Sequence, residues 1–330
     1  MPAVSGPQAF AARPRAAGAP GHGPGPGRLA AALVTFALTL ALAACGAAAH
    51  RFAPQRTPSP VLHAPAPGVA HIAVIVLENE EYGQIIGSRQ TPFLNALANR
   101  YSLAEESFAI THPSLPNYLA LTGGSTFGIA SDCTYCSAPG GGLVAQLSRA
   151  AISWRAYMED LPHPCFLGAA WGEYAKKHDP FAYYRAITAS RSLCERIVPL
   201  DRLYADERGA SLPRLVWITP NLCHDMHDCA PAVGDRFLAA LVPPLLRALG
   251  PRGLLIVTFD EGTSDDGCCR LAAGGHIATI LAGGLARRHG RLRVPVDHYS
   301  VLQAIEDLLG LRRLRGAACA CTPTLSALVR

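Results

Sequence analysis

The sequence predicts an α/β fold, with a mainly parallel central sheet and helices on both of its faces. Three observations carry this. Short, continuous apolar runs rich in β-branched residues recur at His71–Leu77, Pro213–Thr219 and Gly253–Phe259, the pattern of strands buried on both faces. Helical patterns lie between them, and strand alternating with helix implies right-handed crossovers and parallel pairing. Polar residues gather directly after the apolar runs, where open α/β sheets place their sites.

Before the fold comes a different composition. Residues 1–28 are rich in Gly, Pro and Ala, with Arg13, Arg15 and Arg28 as their charges. Leu29–Ala44 is an uncharged apolar run, shorter than the ~20 residues that span a bilayer. It ends in Leu42-Ala43-Ala44-Cys45, similar to a bacterial lipobox. Residues 1–45 are therefore expected to be an export signal. Lipid on Cys45 would anchor the chain to the membrane at the cell surface; simple cleavage would leave it secreted. Residues 46–68, Ala/Pro-rich, are expected to be an extended tether, and 69–330 the folded domain.

Within that domain His71–Leu77 is the first strand. Thr91-Pro92 opens a helix, with Pro at its first position. A short strand, Ser107–Ile110, leads into Ser114 and a helix through Leu121 that Gly123-Gly124 ends. Residues from about 130 to 205 are richer in Cys, aromatic and charged residues, and are expected to form a small Cys-rich cap inserted over the site. Pro213–Thr219 is a strand and Phe237–Leu249 a helix kinked at Pro243-Pro244. Gly253–Phe259 and Ile277–Leu281 are strands. Tyr299–Leu309 is an amphipathic helix closed by Gly310.

Half of the 330 residues are hydrophobic, enough for one large core or two modest ones. The net charge of +5 is mild and, apart from a cluster at 312–315, the Arg residues are scattered. No basic stripe interleaved with aromatics appears, so no nucleic-acid partner is expected. Eleven cysteines suit export; with Cys45 set aside, ten could form up to five disulfides. Cys268 and Cys269, adjacent, are expected to bond to different partners. A zinc ribbon at Cys133-Thr134-Tyr135-Cys136 is the alternative, but no second such pair sits at a suitable distance.

The chemistry-bearing residues sit at strand ends. Glu78-Asn79 follow the first strand, Asp260-Glu261 follow Gly253–Phe259, and Asn221, His224, Asp225 and His227 follow Pro213–Thr219. Ser114 follows the short strand. Paired acids ending a buried apolar strand are costly unless something neutralises them, and a bound cation is the simplest neutraliser. Taken singly each has a plainer reading: Glu78-Asn79 as a helix cap, Asp260-Glu261-Gly262 as a solvated turn, Ser114 as an N-cap, and the segment Cys223–Cys229 as a small disulfide loop.

Together the segments resemble a known family. Val74-Ile75-Val76-Leu77-Glu78-Asn79, Thr111-His112-Pro113-Ser114-Leu115-Pro116-Asn117-Tyr118, Pro220-Asn221-Leu222-Cys223-His224-Asp225-Met226-His227-Asp228, Thr258-Phe259-Asp260-Glu261-Gly262 and His298-Tyr299-Ser300-Val301-Leu302 occur in the order of the bacterial phosphoesterase family. That family includes acid phosphatases and phospholipases C and lies within the alkaline phosphatase superfamily. Ser114-Leu115-Pro116-Asn117 also looks like the nucleophile segment of nucleotide pyrophosphatases/phosphodiesterases.

The resemblance implies a catalytic domain over 69–330 that hydrolyses phosphate esters through a phosphoserine at Ser114, most simply as an acid phosphatase-like phosphomonoesterase. Asn117 would hydrogen-bond a phosphoryl oxygen. A divalent metal ion, one rather than two, would be held by Glu78, Asn79, Ser114, Asp260 and Glu261. His276 has the order of the superfamily's last metal histidine. Asp225 and His227 would bind a second metal or supply protons and hydrogen bonds; His112, His224 and His227 are the imidazoles that could protonate the leaving group. A carboxylate where two-zinc members carry an imidazole favours a harder ion, though Zn, Ca, Mg and Mn all stay open. The substrate would be a phosphorylated small molecule or a phospholipid headgroup. A phospholipase C or other phosphodiesterase is the alternative, and an inactive surface lipoprotein with a binding role is a second.

Overall fold

The computed structural model describes residues 68–269 and 272–330. The export signal expected over 1–45, and all of the tether but its last residue, lie outside the described residues.

Eleven strands form among the described residues: β1 (His71–Leu77), β2 (Ser102–Phe108), β3 (Trp154–Met158), β4 (Ala170–Trp171), β5 (Tyr174–Ala175), β6 (Ile197–Pro199), β7 (Leu215–Thr219), β8 (Gly253–Phe259), β9 (His276–Ala282), β10 (Gly290–Leu292) and β11 (Val296–Asp297). Nine make the main sheet, in the order β10-β2-β9-β8-β1-β7-β3-β6, with β11 also on β2; β4 and β5 form a separate hairpin. β8, β1, β7, β3 and β6 pair in parallel. β9 runs antiparallel to both β8 and β2. The described residues between β8 and β9 form no helix, and β9 starts at the rim where β8 ended.

The central strand shows why its run is apolar without alternation. Ile72, Val74 and Val76 pack on one face with Leu115, Tyr118 and Leu119 of the helix Ser114–Gly123 and Val301, Leu302 and Ile305 of the helix His298–Leu309. Ala73, Ile75 and Leu77 pack on the other with Leu94 of Pro92–Arg100 and Leu238, Leu241 and Leu245 of Pro231–Leu249. Each fully buried Val, Leu or Ile side chain contributes about 1.5–3 kcal/mol. The expected two-faced, mainly parallel sheet is what forms.

Several boundaries move. β2 is longer than expected and ends at Phe108, which leaves residues 109–113 as the loop that delivers Ser114. The helix expected from Phe237 begins at Pro231, and Pro243 and Pro244 lie inside it. Gly124 ends the Ser114 helix at φ 70°, where an added Cβ would meet the Leu314 carbonyl oxygen at 2.5 Å.

Two expectations need correction. The segment expected as a cap is partly sheet: β3 and β6 belong to it and extend the edge beyond β7. The excursion proper is the stretch between them, 159–196, which includes the β4–β5 hairpin. Cys268 and Cys269 bond to each other, not to different partners, in a turn where Cys269 has φ 56°. The remaining pairs are Cys133–Cys136, Cys165–Cys194, Cys223–Cys229 and Cys319–Cys321, so Cys133 and Cys136 are spent on a disulfide, not a zinc ribbon.

Candidate active site

The parallel strands deliver their acids to one rim, and backbone hydrogen bonds stitch the strand ends together. Asp260 N–H donates to Leu77 O at 2.8 Å, and Glu78 N–H to Asp225 O at 2.9 Å. Asp260 Oδ1 accepts the N–H of Asn79 at 3.2 Å and of Glu261 at 2.6 Å, with Asn79 in the left-handed region at φ 54°. Three strand ends thus place Glu78, Asp225, Asp260 and Glu261 together, all four buried.

Ser114 reaches this cluster from the first position of its helix. Its Oγ donates to Glu78 Oε2 at 3.0 Å and lies 3.4 Å from Glu261 Oε1. Tyr118, four residues on and so on the same helical face, donates to Glu78 Oε1 at 2.5 Å. Asn117 holds the approach. Its Oδ1 accepts the N–H of Ile110 and Thr111 at 3.0 and 3.1 Å, and its Nδ2 donates to Thr111 O and Pro113 O at 2.6 and 3.2 Å. This corrects the role expected for Asn117: an amide committed to the loop 110–113 has nothing left for a phosphoryl oxygen, and it positions Ser114 instead.

The excursion adds a residue that sequence reasoning did not single out. His178 is buried, stacked on Tyr118 with centroids 5.5 Å apart. Its Nε2 lies 3.2 Å from Glu78 Oε2 and its Nδ1 3.1 Å from Asp225 Oδ2. No strand end announces it. A Lys-His pair in an irregular segment carries little sequence signal. Tyr118 was findable from its spacing to Ser114.

The electrostatics are those of a site short of positive charge. Burial, reinforced by Asp260 and Asp225, pushes the Glu78 carboxyl well above its usual range. Burial pushes Asp225 up to about 8, and burial with the neighbouring Glu261 charge pushes Asp260 up to about 7. Glu261 is raised as well, chiefly by burial, against the lowering pull of His112. His178 is held well below its ordinary value by burial and by Lys177 and His227. Left to themselves these acids cannot all ionise.

Among the described residues, Asp260 Oδ2 and His298 Nδ1 are buried without a hydrogen-bond partner, and His178 Nε2 and Asp225 Oδ2 have only the ion-pair contacts given above and no well-formed hydrogen bond. Orphaned acceptors beside a serine hydroxyl and clustered carboxylates are what a divalent cation satisfies. The residues fit such an ion: Glu78, Asp260, Glu261 and Ser114 offer oxygen donors of the kind harder cations take. One ligand atom each from Glu78, His178 and His227 also lies within 4.8 Å of the others.

The other expected histidines divide. His112 Nδ1 pairs with Glu261 Oε2 at 2.7 Å and its Nε2 faces Ser264 O at 3.0 Å, so it braces Glu261. His227 joins the cluster, with Nδ1 2.6 Å from Asp228 Oδ1 and Nε2 3.0 Å from Lys177 Nζ. His224 is not brought in; its Nδ1 pairs with Glu159 Oε1 at 2.9 Å and its ring stacks on Phe237 at 4.4 Å. His276 stands at the rim, as the reversal of β9 requires, but the structure corrects its expected role. The ring is stacked between Tyr82 and Phe108, at 4.5 and 5.0 Å, and Nε2 is engaged by Glu105 O at 2.7 Å.

Comparison with known proteins follows the same lines. The model of the Phosphoesterase family matches residues 87–312. The phosphatidylinositol-3-phosphatase of Mycobacterium tuberculosis is 34% identical over 249 residues, which cover 74% of this chain and 78% of that protein. The phosphate-repressible acid phosphatase of Penicillium chrysogenum is 30% identical over 67% of this chain; the chain spans 55% of that protein's length. Among solved structures, a protein of the alkaline phosphatase superfamily from Vibrio parahaemolyticus superposes with a TM-score of 0.53 at 14% identity, covering 79% of this chain and 74% of its own, and shares the fold.

Proposed function

The chain belongs to the Phosphoesterase family, and on that premise we propose that it is a metal-dependent phosphomonoesterase of the acid phosphatase type, acting through a phosphoserine at Ser114. One observation carries the reading: the Ser114 hydroxyl lies against Glu78 and Glu261, inside a group of acids that need a cation. A divalent ion held by Glu78, Asp260, Glu261 and Ser114, with Asn79 beside them, would supply the charge that lowers the serine pKa and draws a phosphate anion in.

The chain's own residues do the rest. Asn117 fixes the loop 110–113, and with it the line along which Ser114 Oγ approaches phosphorus. The Oγ–P bond forms as the ester P–O bond breaks, and the leaving oxygen takes a proton. Of the imidazoles expected to provide it, His227 is the one grouped with Glu78 and His178. Water then cleaves the phosphoserine and frees phosphate.

The substrate class is a phosphomonoester of a small molecule or of a phospholipid headgroup. The mycobacterial relative's name supports the lipid form. So do the large aromatic side chains of Tyr135 and Trp171, which are 99% and 59% exposed. The export signal and Cys45 support an exported, lipid-anchored or secreted location, and five disulfides suit an oxidising compartment.

A panel of aryl monoesters, phosphoinositides and a phosphocholine diester, each with EDTA and with single divalent ions, tests this. Monoester turnover that EDTA removes and one ion restores is expected. Turnover of the diester alone, or indifference to chelator, would overturn it.

A further inference from the structure

Ser114 begins a ten-residue helix, so the Leu115 N–H directly behind the nucleophile is a free donor at a positive helix end. A carboxylate has taken it: Asp132 Oδ1 accepts the Leu115 N–H at 3.0 Å. The other oxygen, Oδ2, lies 3.3 Å from Lys177 Nζ, and the same ammonium lies 3.0 Å from His227 Nε2. Lys177 is the cation at the edge of a cluster otherwise made of acids and imidazoles. The two donors that a phosphoryl group approaching Ser114 would want, the Leu115 amide and the Lys177 ammonium, thus both face Asp132.

The surroundings support displacement. The Asp132 and Lys177 side chains are 27% and 22% exposed, so a displaced carboxylate has water to enter. Asp132 stands next to the Cys133–Cys136 loop, which Lys176 Nζ ties to the excursion through Thr134 O at 2.9 Å.

Resting on the phosphatase reading above, we propose that Asp132 occupies in the free enzyme the place of the substrate's phosphoryl oxygens. Lys177 passes from Asp132 to that group when it arrives. The pair sets affinity for the dianionic monoester and for product phosphate: Asp132 is an internal competitor, Lys177 the specificity-determining cation. A monoester dianion gains more from Lys177 than a diester monoanion, so the pair also favours monoesters.

The test measures binding of inorganic phosphate to the full chain by calorimetry, together with kcat/KM for an aryl monoester and the matching diester. Asp132→Ala is expected to bind phosphate about tenfold tighter than wild type, since a charge-assisted contact no longer has to break. Asp132→Asn keeps the shape and loses the charge, and is expected to fall between them. Lys177→Gln is expected to weaken phosphate about tenfold and to cut the monoester-to-diester ratio, with partial return in Lys177→Arg. Phosphate affinity in both Asp132 variants equal to wild type or weaker would overturn the proposal and leave Asp132 as a helix cap. Equal losses on monoester and diester in Lys177→Gln would also overturn it. A wild type that turns over no phosphate ester would instead overturn the phosphatase reading, and this one with it.

Discussion

His178 brings its Nε2 to 3.2 Å from Glu78 Oε2, so a side chain from the excursion beyond β3 closes over the acid that ends β1. The contact joins two segments a hundred residues apart in sequence, and it does so with a buried ring flanked by a second acid, Asp225, at 3.1 Å. His178→Ala is expected to leave the sheet intact while loosening the Glu78–Asp225 pair. Turnover should drop by about a hundredfold, and the melting-temperature rise produced by the activating cation should shrink, because ligand that binds only the folded state stabilises by mass action. A full cation-induced shift in His178→Ala would place the ring outside the site's electrostatics.

Ser114→Ala removes the one hydroxyl that touches both Glu78 and Glu261. The side chain is small and its helix is anchored by Leu115, Tyr118 and Leu119 in the core. Stability should change by no more than about 1 kcal/mol, while turnover falls at least about a thousandfold. Retained turnover alongside normal folding would remove Ser114 from the chemistry.

How far the sequence could be read is clearest at the strands. His71–Leu77 and Gly253–Phe259 form residue for residue as read, because a strand buried on both faces leaves an uninterrupted apolar run with a sharp polar end. β3 and β6 were illegible, since Trp154–Met158 carries Arg155 and Ile197–Pro199 is only three residues long. The acids were legible for the same reason as the strands: a charge at the end of such a run stands out. Asn117 was visible, but its partners were not. Whether an amide faces substrate or its own loop depends on the path of residues 109–113, which only the folded chain shows. Likewise His276 was legible as a rim residue, and its stack between Tyr82 and Phe108 was not.

The corrected role of Asn117 predicts a distinct phenotype. Asn117→Ala leaves the buried Ile110 N–H without its acceptor and removes four hydrogen bonds from the loop before Ser114. The expected cost is about 2–4 kcal/mol of stability, with a fall in kcat as Ser114 loses its alignment. Asn117→Asp should also lose stability, because its carboxylate would face the carbonyls of Thr111 and Pro113. A phosphoryl-binding side chain would behave differently, raising KM and the inhibition constant of phosphate at unchanged stability. Denaturant melts alongside kinetics separate the two.

Glu306 supplies a pH dependence that lies apart from the site. It is buried on the helix His298–Leu309, where Leu314 N–H donates to Oε1 at 3.0 Å and lies 3.2 Å from Oε2. Burial pushes its carboxyl up to about 8; the Leu314 hydrogen bond and Arg313 pull it down, and Asp307 pushes it up. In the unfolded chain a glutamate titrates near 4.3. Between those values the folded protein keeps a proton that the unfolded chain releases. The contribution to stability is therefore whole below about pH 4 and is lost as pH rises toward 8. Glu306→Gln keeps an oxygen for Leu314 and cannot titrate. From pH 5 to 8, wild type should lose roughly 3 kcal/mol more than the variant in urea unfolding. Parallel pH profiles for the two proteins would show that Glu306 is ionised in the fold, its charge held by the Leu314 N–H and by Arg313.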